Sequence, residues 1–161
     1  QSKAEAVLEL KNIEVKVKWD AYEILAQTSI ALGDSLKAQS AFEVLEKAPI
    51  DQLAAEAYYF RAHQNHKNKD FEKSNEVIAL LSQKFSSQPY WAAKSLLLMA
   101  KNFYAVKDAF QSTYILESLL ENYKQFPEIL KEGETLLSQI KEKQSEQNAT
   151  LSQPNDNNEV Q

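Results

Sequence analysis

Residues 22–49 read YEILAQTSIALGDSLKAQSAFEVLEKAP, and their spacing decides the fold. Tyr22, Leu25, Ala26 and Ile30 return at helical intervals, forming one apolar stripe at a period of about 3.6 residues. Gly33-Asp34 interrupts the stripe; Ala38, Ala41, Phe42 and Leu45 resume it, and Pro49 closes the stretch. An aspartate in that place accepts a hydrogen bond from the free N–H groups that open a helix, and its charge suits the positive end of the helix dipole. The stretch therefore reads as helix, turn, helix.

The same order returns twice downstream. Residues 55–85 carry Tyr58 and Ala62, then Lys69-Asp70-Phe71, then Ser74, Ile78 and Leu81. Residues 93–123 carry Leu96, Met99, Ala100 and Phe103, then Lys107-Asp108-Ala109, then Ser112, Leu116 and Leu119. Asp34, Asp70 and Asp108 thus fall 36 and 38 residues apart, each a candidate N-cap. Ala26, Ala62 and Ala100 on the first helices, and Ala38, Ser74 and Ser112 on the second, are small where antiparallel helices must approach closely. Pro49, Pro89 and Pro127 fall between units, where a missing N–H costs nothing at a first helical position.

Outside the three units the pattern changes. Over residues 1–18, Ala6, Leu10, Ile13 and Val17 fit a helix, whereas Ile13, Val15, Val17 and Trp19 alternate as a strand would. We read a partial helix of an upstream unit with a break near 13–18. Because the chain opens on Gln1 with no signal-like run behind it, it is expected to be part of something longer. After residue 125, Ile129, Leu130, Gly133, Leu136, Leu137 and Ile140 form one stripe, with Lys131, Glu132, Glu134, Lys141 and Glu142 on the other faces. That pattern predicts a capping helix over 126–143, polar outside as a repeat stack requires. Residues 144–161 are mostly Gln, Asn, Ser and Glu, and we read them as a disordered tail.

Composition agrees with an all-α chain. Of 161 residues, 43% are hydrophobic and 25% charged, the balance of a globular protein, and two glycines with four prolines are few for a fold built on tight turns. The run from Ser95 to Ala100 is bounded by Lys94 and Lys101, far short of the ~20 apolar residues of a membrane span. Net charge is -5, with the acidic excess after residue 101, which argues against a nucleic-acid partner whose phosphates need Lys and Arg. No cysteine is present, so thiolate metal sites and nucleophiles are excluded while the redox compartment stays open.

The three units resemble tetratricopeptide repeats, best in Tyr22, Leu25-Ala26, Gly33-Asp34, Ala38, Phe42 and Pro49. The likeness covers roughly 19–125, in units of about 19–52, 55–88 and 93–126. In the second unit Arg61 and Asn65 replace large apolar residues, and Lys69 replaces the turn glycine. The resemblance implies an α-solenoid of antiparallel helix pairs acting as a non-catalytic scaffold for protein partners. Within the third unit, Tyr90-Trp91-Ala92-Ala93-Lys94-Ser95-Leu96-Leu97-Leu98-Met99-Ala100, Phe110-Gln111 and Leu116 to Tyr123 are similar to the C-terminal repeats of long envelope tetratricopeptide proteins of Bacteroidota. That likeness implies a periplasm-facing scaffold in the cell envelope. Asp34-Ser35-Leu36 also resembles that phylum's short O-glycosylation motif, although an Asp-Ser helix cap accounts for it equally.

The family's concave face is lined mainly by the first helix of each unit. Carried over by offset from each turn aspartate, the resemblance selects Glu23 and Gln27, then Tyr59, His63, His66 and Lys67, then Lys101 and Tyr104. Aromatic anchors beside polar groups suit an extended peptide or a partner helix. The Lys and Asn clamp of the chaperone-tail-binding members is missing, since Glu23, Gln27, Tyr59 and His63 stand in its places. Most of the aromatic residues from Trp19 to Tyr104 read as packing. His63 and His66 share a helix face, but a closed metal site wants four ligands, and no metal or other cofactor is expected. No Gly-rich phosphate loop or nucleophile arrangement is visible, so the chain is not read as an enzyme. Asn148-Ala149-Thr150 matches a glycosylation triplet of a kind common by chance in polar sequence. The alternatives are a cytoplasmic adaptor of the same architecture, or a structural cap on a longer superhelix.

Overall fold

The computed structural model describes residues 3–151, and every regular element among them is a helix. The elements are α1 (Lys3–Leu8), α2 (Val15–Ala31), α3 (Ser35–Leu45), α4 (Asp51–Lys67), α5 (Phe71–Lys84), α6 (Pro89–Ala105), α7 (Ala109–Asn122) and α8 (Pro127–Leu151). α2 packs on α3, α4 on α5 and α6 on α7, and each pair rests on the next. The first helices are all 17 residues long, and α5 and α7 are both 14. The chain is all-α and built from a repeated pair.

Burial follows the register of the turn aspartates. Ala26, Ala62 and Ala100 are each 0% exposed, and Ala38, Ser74 and Ser112 face them at 1%, 0% and 0%. One turn and two turns further along the second helices, Phe42, Ile78 and Leu116, then Leu45, Leu81 and Leu119, are buried as well. Large apolar side chains buried this way contribute about 1.5–3 kcal/mol each. Where serine replaces alanine, the small residue is tied across the pair: Ser74 Oγ donates to the Ala62 carbonyl at 2.8 Å, and Ser112 Oγ to the Ala100 carbonyl at 2.9 Å.

The three turns share one backbone. Gly33, Lys69 and Lys107 have φ of 74°, 62° and 66°, so two lysines adopt the left-handed conformation that glycine holds in the first unit. In each, the next N–H reaches the carbonyl five residues back at 2.9 Å: Asp34 to Ser29, Asp70 to Asn65, and Asp108 to Phe103. This hydrogen-bonded helix stop over-determines the turn, which is why a lysine can occupy it. Asp34 and Asp108 cap α3 and α7, accepting from the Lys37 and Gln111 N–H groups at 3.1 and 3.0 Å. Asp70 departs from the expected cap: its carboxylate takes Lys73 Nζ at 2.6 Å, and that bond holds its pKa below the ordinary value.

At the ends the boundaries move. The break expected at 13–18 falls between α1 and α2, at residues 9–14; α2 begins at Val15, and the Lys18 N–H donates to the Glu14 carbonyl at 3.0 Å. α8 buries Ile129, Gly133 and Ile140 on one face. Gly133 is needed for close approach, since a Cβ there would stand 3.3 Å from a Leu119 methyl. The helix also runs past the expected end at 143, through residues 144–151. Gln, Lys and Glu are good helix formers, and pairs one turn apart, such as Ser138 Oγ to Glu142 at 3.1 Å, support a helix that buries little. The rest of the expected tail, 152–161, lies outside the described residues.

Candidate functional site

The first helices of the pairs share one side of the molecule, and two adjoining cavities open there. The larger, about 390 Å³, is lined by Gln27 and Ile30 of α2, Ala38 and Phe42 of α3, Glu56, Tyr59, His63 and Lys67 of α4, and Trp91 and Lys94 of α6. The second, about 340 Å³, is lined by Tyr59, His63 and His66, by Tyr90, Lys94 and Lys101, and by Glu128, Ile129 and Glu132 of α8. Tyr59, His63 and Lys94 border both, so they stand at the junction.

Helical spacing on α4 and α6 produces this arrangement. Glu56, Tyr59, His63 and His66 are three or four residues apart and share a face, as do Tyr90, Trp91 and Lys94 on α6. Their rings make a continuous series. Phe126 lies 5.5 Å from Tyr90, Tyr90 5.1 Å from Trp91, Trp91 5.5 Å from Tyr59, Tyr59 6.1 Å from His63, His63 6.3 Å from His66, and His66 5.5 Å from Phe71. Burial first, then the Glu132 charge, pushes the Tyr59 hydroxyl up to about 12, so it is a neutral hydrogen-bonding phenol at any physiological pH. Lys94 Nζ sits 4.7 Å from the Tyr59 centroid, 5.1 Å from Trp91 and 5.5 Å from Tyr90.

Charge at the site is shaped mainly by burial. Burial lowers the Lys94 pKa, opposed by the fields of Glu56, Glu132 and Glu128. It lowers that of His63 too, reinforced by Lys67 and His66. Glu56, only 6% exposed, is pushed up by burial and then by Glu23, while Gln27 Nε2 donates to its carboxylate.

Beneath the rings lies a polar cluster that ties the second pair to the third. Asn102, 0% exposed, donates from Nδ2 to Ser74 Oγ at 2.8 Å and to Asn75 Oδ1 at 2.7 Å, and its Oδ1 lies 2.6 Å from His66 Nδ1. The proton positions follow in sequence. Ser74 spends its hydrogen on the Ala62 carbonyl, so it accepts from Asn102 Nδ2; Asn102 Oδ1 then faces His66, whose Nδ1 must carry hydrogen. His66 Nδ1 is thereby fixed as a donor to Asn102, and the ring borders the second cavity.

Of the residues selected from sequence, Gln27, Tyr59, His63 and Lys67 line the first cavity, and His66 and Lys101 join Tyr59 and His63 in the second. Glu23 lines neither and acts on the site through its field on Glu56. Tyr104 also lies outside both, packed against the core of α6, α7 and α8 with Lys143 Nζ 5.3 Å from its ring. Sequence reasoning did not select Glu56, Trp91, Lys94, Asn102, Glu128 or Glu132. Glu56 and Lys94 hold the same register, three residues before Tyr59 and Leu97 on their helices, so continuing the face by one turn finds them. Among the described residues no three His, Asp or Glu side chains are grouped to hold a metal, and no helix is long and apolar enough to cross a membrane. No family model, curated protein or solved structure matches the chain.

Proposed function

We propose that the chain is a tetratricopeptide-like α-solenoid that serves, without catalysis, as an interaction scaffold, taking an extended peptide or a helix of a partner protein along the recess. The reading belongs with the C-terminal repeats of a longer protein in a bacterial envelope complex. One observation carries it: the ring series from Phe126 to Phe71 runs along the second and third helix pairs to the start of α8, beside polar groups. Rigid aromatic anchors supply contact area at low entropic cost, and neighbouring polar groups set register, which is the composition of a peptide-binding surface. The identical backbone of the three turns supports the repeat reading.

A structural cap is the second reading, favoured by α8, whose Gly133 seats it on Leu116 and Leu119 while its outer faces stay charged. Panning a displayed peptide library on the purified chain and on a Trp91→Ala variant separates the two. The scaffold reading expects peptides held by the wild type at least about tenfold more tightly than by the variant, the loss of one aromatic anchor, with helicity unchanged by circular dichroism. Retention of no peptide, or equal retention by both proteins, refutes it and leaves the cap.

A further inference from the structure

The middle of the recess holds positive charge that the protein does not neutralise. Lys94 stands at the junction of the cavities against three ring faces, which attract an ammonium by about 0.5–2 kcal/mol without cancelling its charge. Among the described residues no carboxylate pairs with it; Glu56, Glu132 and Glu128 reach it only through space. Two of those three are engaged elsewhere, Glu56 by Gln27 and Glu132 by Lys101 Nζ at 2.6 Å. His63 borders the same junction with ring contacts, and among the described residues no carboxylate pairs with Lys67, which lines only the first cavity. The outer parts differ in their balance of charge. Glu56 shares the first cavity with Lys67, whereas Glu128 and Glu132 share the second with Lys101, which pairs with Glu132 and leaves Glu128, among the described residues, as the carboxylate there without an ion pair.

We propose that the recess receives an extended segment of a partner protein that sets an aspartate or glutamate side chain on Lys94 and His63, with a basic residue beside it reaching toward Glu128 in the second cavity. This rests on the peptide-binding reading above and names the chemistry of its ligand. The carboxylate belongs to a side chain because the cationic site lies where two cavities meet. A chain lying in both passes Lys94 with an interior residue, and its terminus falls beyond. A carboxylate reaching a half-buried ammonium satisfies a donor already removed from bulk water, and the charge-assisted bond formed there is stronger than a neutral one. The change of sign from Lys94 to Glu128 rejects segments of the wrong charge order as well as attracting the right one.

The test uses the whole chain and a random displayed library of peptides. Enriched sequences should carry an interior Asp or Glu with Lys or Arg to one side of it, and synthetic versions should bind equally with a free or an amidated C-terminus. Lys94→Gln should weaken them by about tenfold or more, the scale of a lost charge pair, with helicity intact. Repeating the selection on Lys94→Glu should move the interior preference to Lys or Arg. Peptides that need Trp91 yet show no interior acid, peptides whose binding amidation abolishes, or a Lys94→Glu protein with unchanged preference overturn this inference and leave the scaffold reading standing. A library from which nothing is retained removes both.

Discussion

Two junctions between like helix pairs are built differently. Between the second and third pairs, Asn102 is fully buried and joins Ser74, Asn75 and His66. Between the first and second, the corresponding places hold Gln64, Ala38, Gln39 and Ile30, and contact is made elsewhere, by Phe42 and Phe60 stacked at 4.1 Å, by Gln27 on Glu56 and by Arg61 on Glu46 at 3.1 Å. Gln64 and Ala38 there line the larger cavity instead of closing on each other. One register therefore yields a polar latch in one place and an opening in the other. The difference lies in four side chains: a hydroxyl at 74 where Ala38 has none, amides one methylene shorter at 75 and 102 than at 39 and 64, and an imidazole at 66 where Ile30 stands.

Asn102→Ala should produce the largest effect on this comparison. It removes every bond of a buried amide, strands His66 Nδ1–H and Asn75, and leaves a void, so a loss of about 2–4 kcal/mol is expected. Urea unfolding checks it. Asn102→Ala in a Ser74→Ala background should cost less than the sum of the two single changes, because the partners act as a unit. Full additivity would mean that the latch is not one network.

The first junction has its own buried polar group, Glu56, and pH reads it. Burial raises its pKa in the fold above the ordinary 4.5, so the native state binds the proton more readily than the unfolded chain. Its contribution is therefore most favourable below about pH 4.5, the unfolded value, and is lost as pH rises through the folded value. Glu56→Gln should stabilise the protein at pH 7, with an advantage that shrinks as pH is lowered toward 4. His63 has the opposite sign, since a lowered pKa makes protonation below about 6.5 favour the unfolded chain. Comparison in a His63→Gln background isolates the Glu56 effect. An advantage independent of pH would show that Glu56 is not held against its charge.

These contrasts also mark what the sequence could disclose. The repeat was legible because small residues at 26, 62 and 100, and apolar ones at 45, 81 and 119, do the same work in each unit, and periodicity reports such work directly. Part of the recess lining was named in advance too, because the resemblance, counted from the turn aspartates, selects Gln27, Tyr59, His63, His66, Lys67 and Lys101. Asn102 was not: its register is polar in every unit, with Thr28 and Gln64 in the matching places, and it reads as a surface residue until the neighbouring pair brings Ser74 and His66 to it. Lys94 was read as a charge ending an apolar run, although Tyr59, 35 residues earlier on α4, makes it part of the site. Tyr104 fitted the phase but lies outside the recess, because α8, whose docking no spacing within the repeats reveals, brings Lys143 to its ring. Residues 144–151 carry no apolar stripe in sequence, and helix propensity continues α8 through them.

The smallest effect comes from building the latch where it is missing. Ala38 is 1% exposed and faces Ala26, as Ser74 faces Ala62, so Ala38→Ser should donate to the Ala26 carbonyl. The new bond offsets the burial of a hydroxyl, and stability should change by less than about 1 kcal/mol. Gln64→Asn alone shortens a half-buried side chain and should be similarly mild. Together they place an amide beside a hydroxyl as at 102 and 74, and a double-mutant cycle should show a favourable coupling of about 0.5–1 kcal/mol. The coupling stays below that of the native latch because Ile30 stands where His66 does and Gln39 is already bonded to Glu43 at 3.0 Å, leaving the new amide two partners short. A coupling of zero would locate the latch in His66 and Asn75, with the serine a bystander; one as large as that between Asn102 and Ser74 would show that hydroxyl and amide suffice.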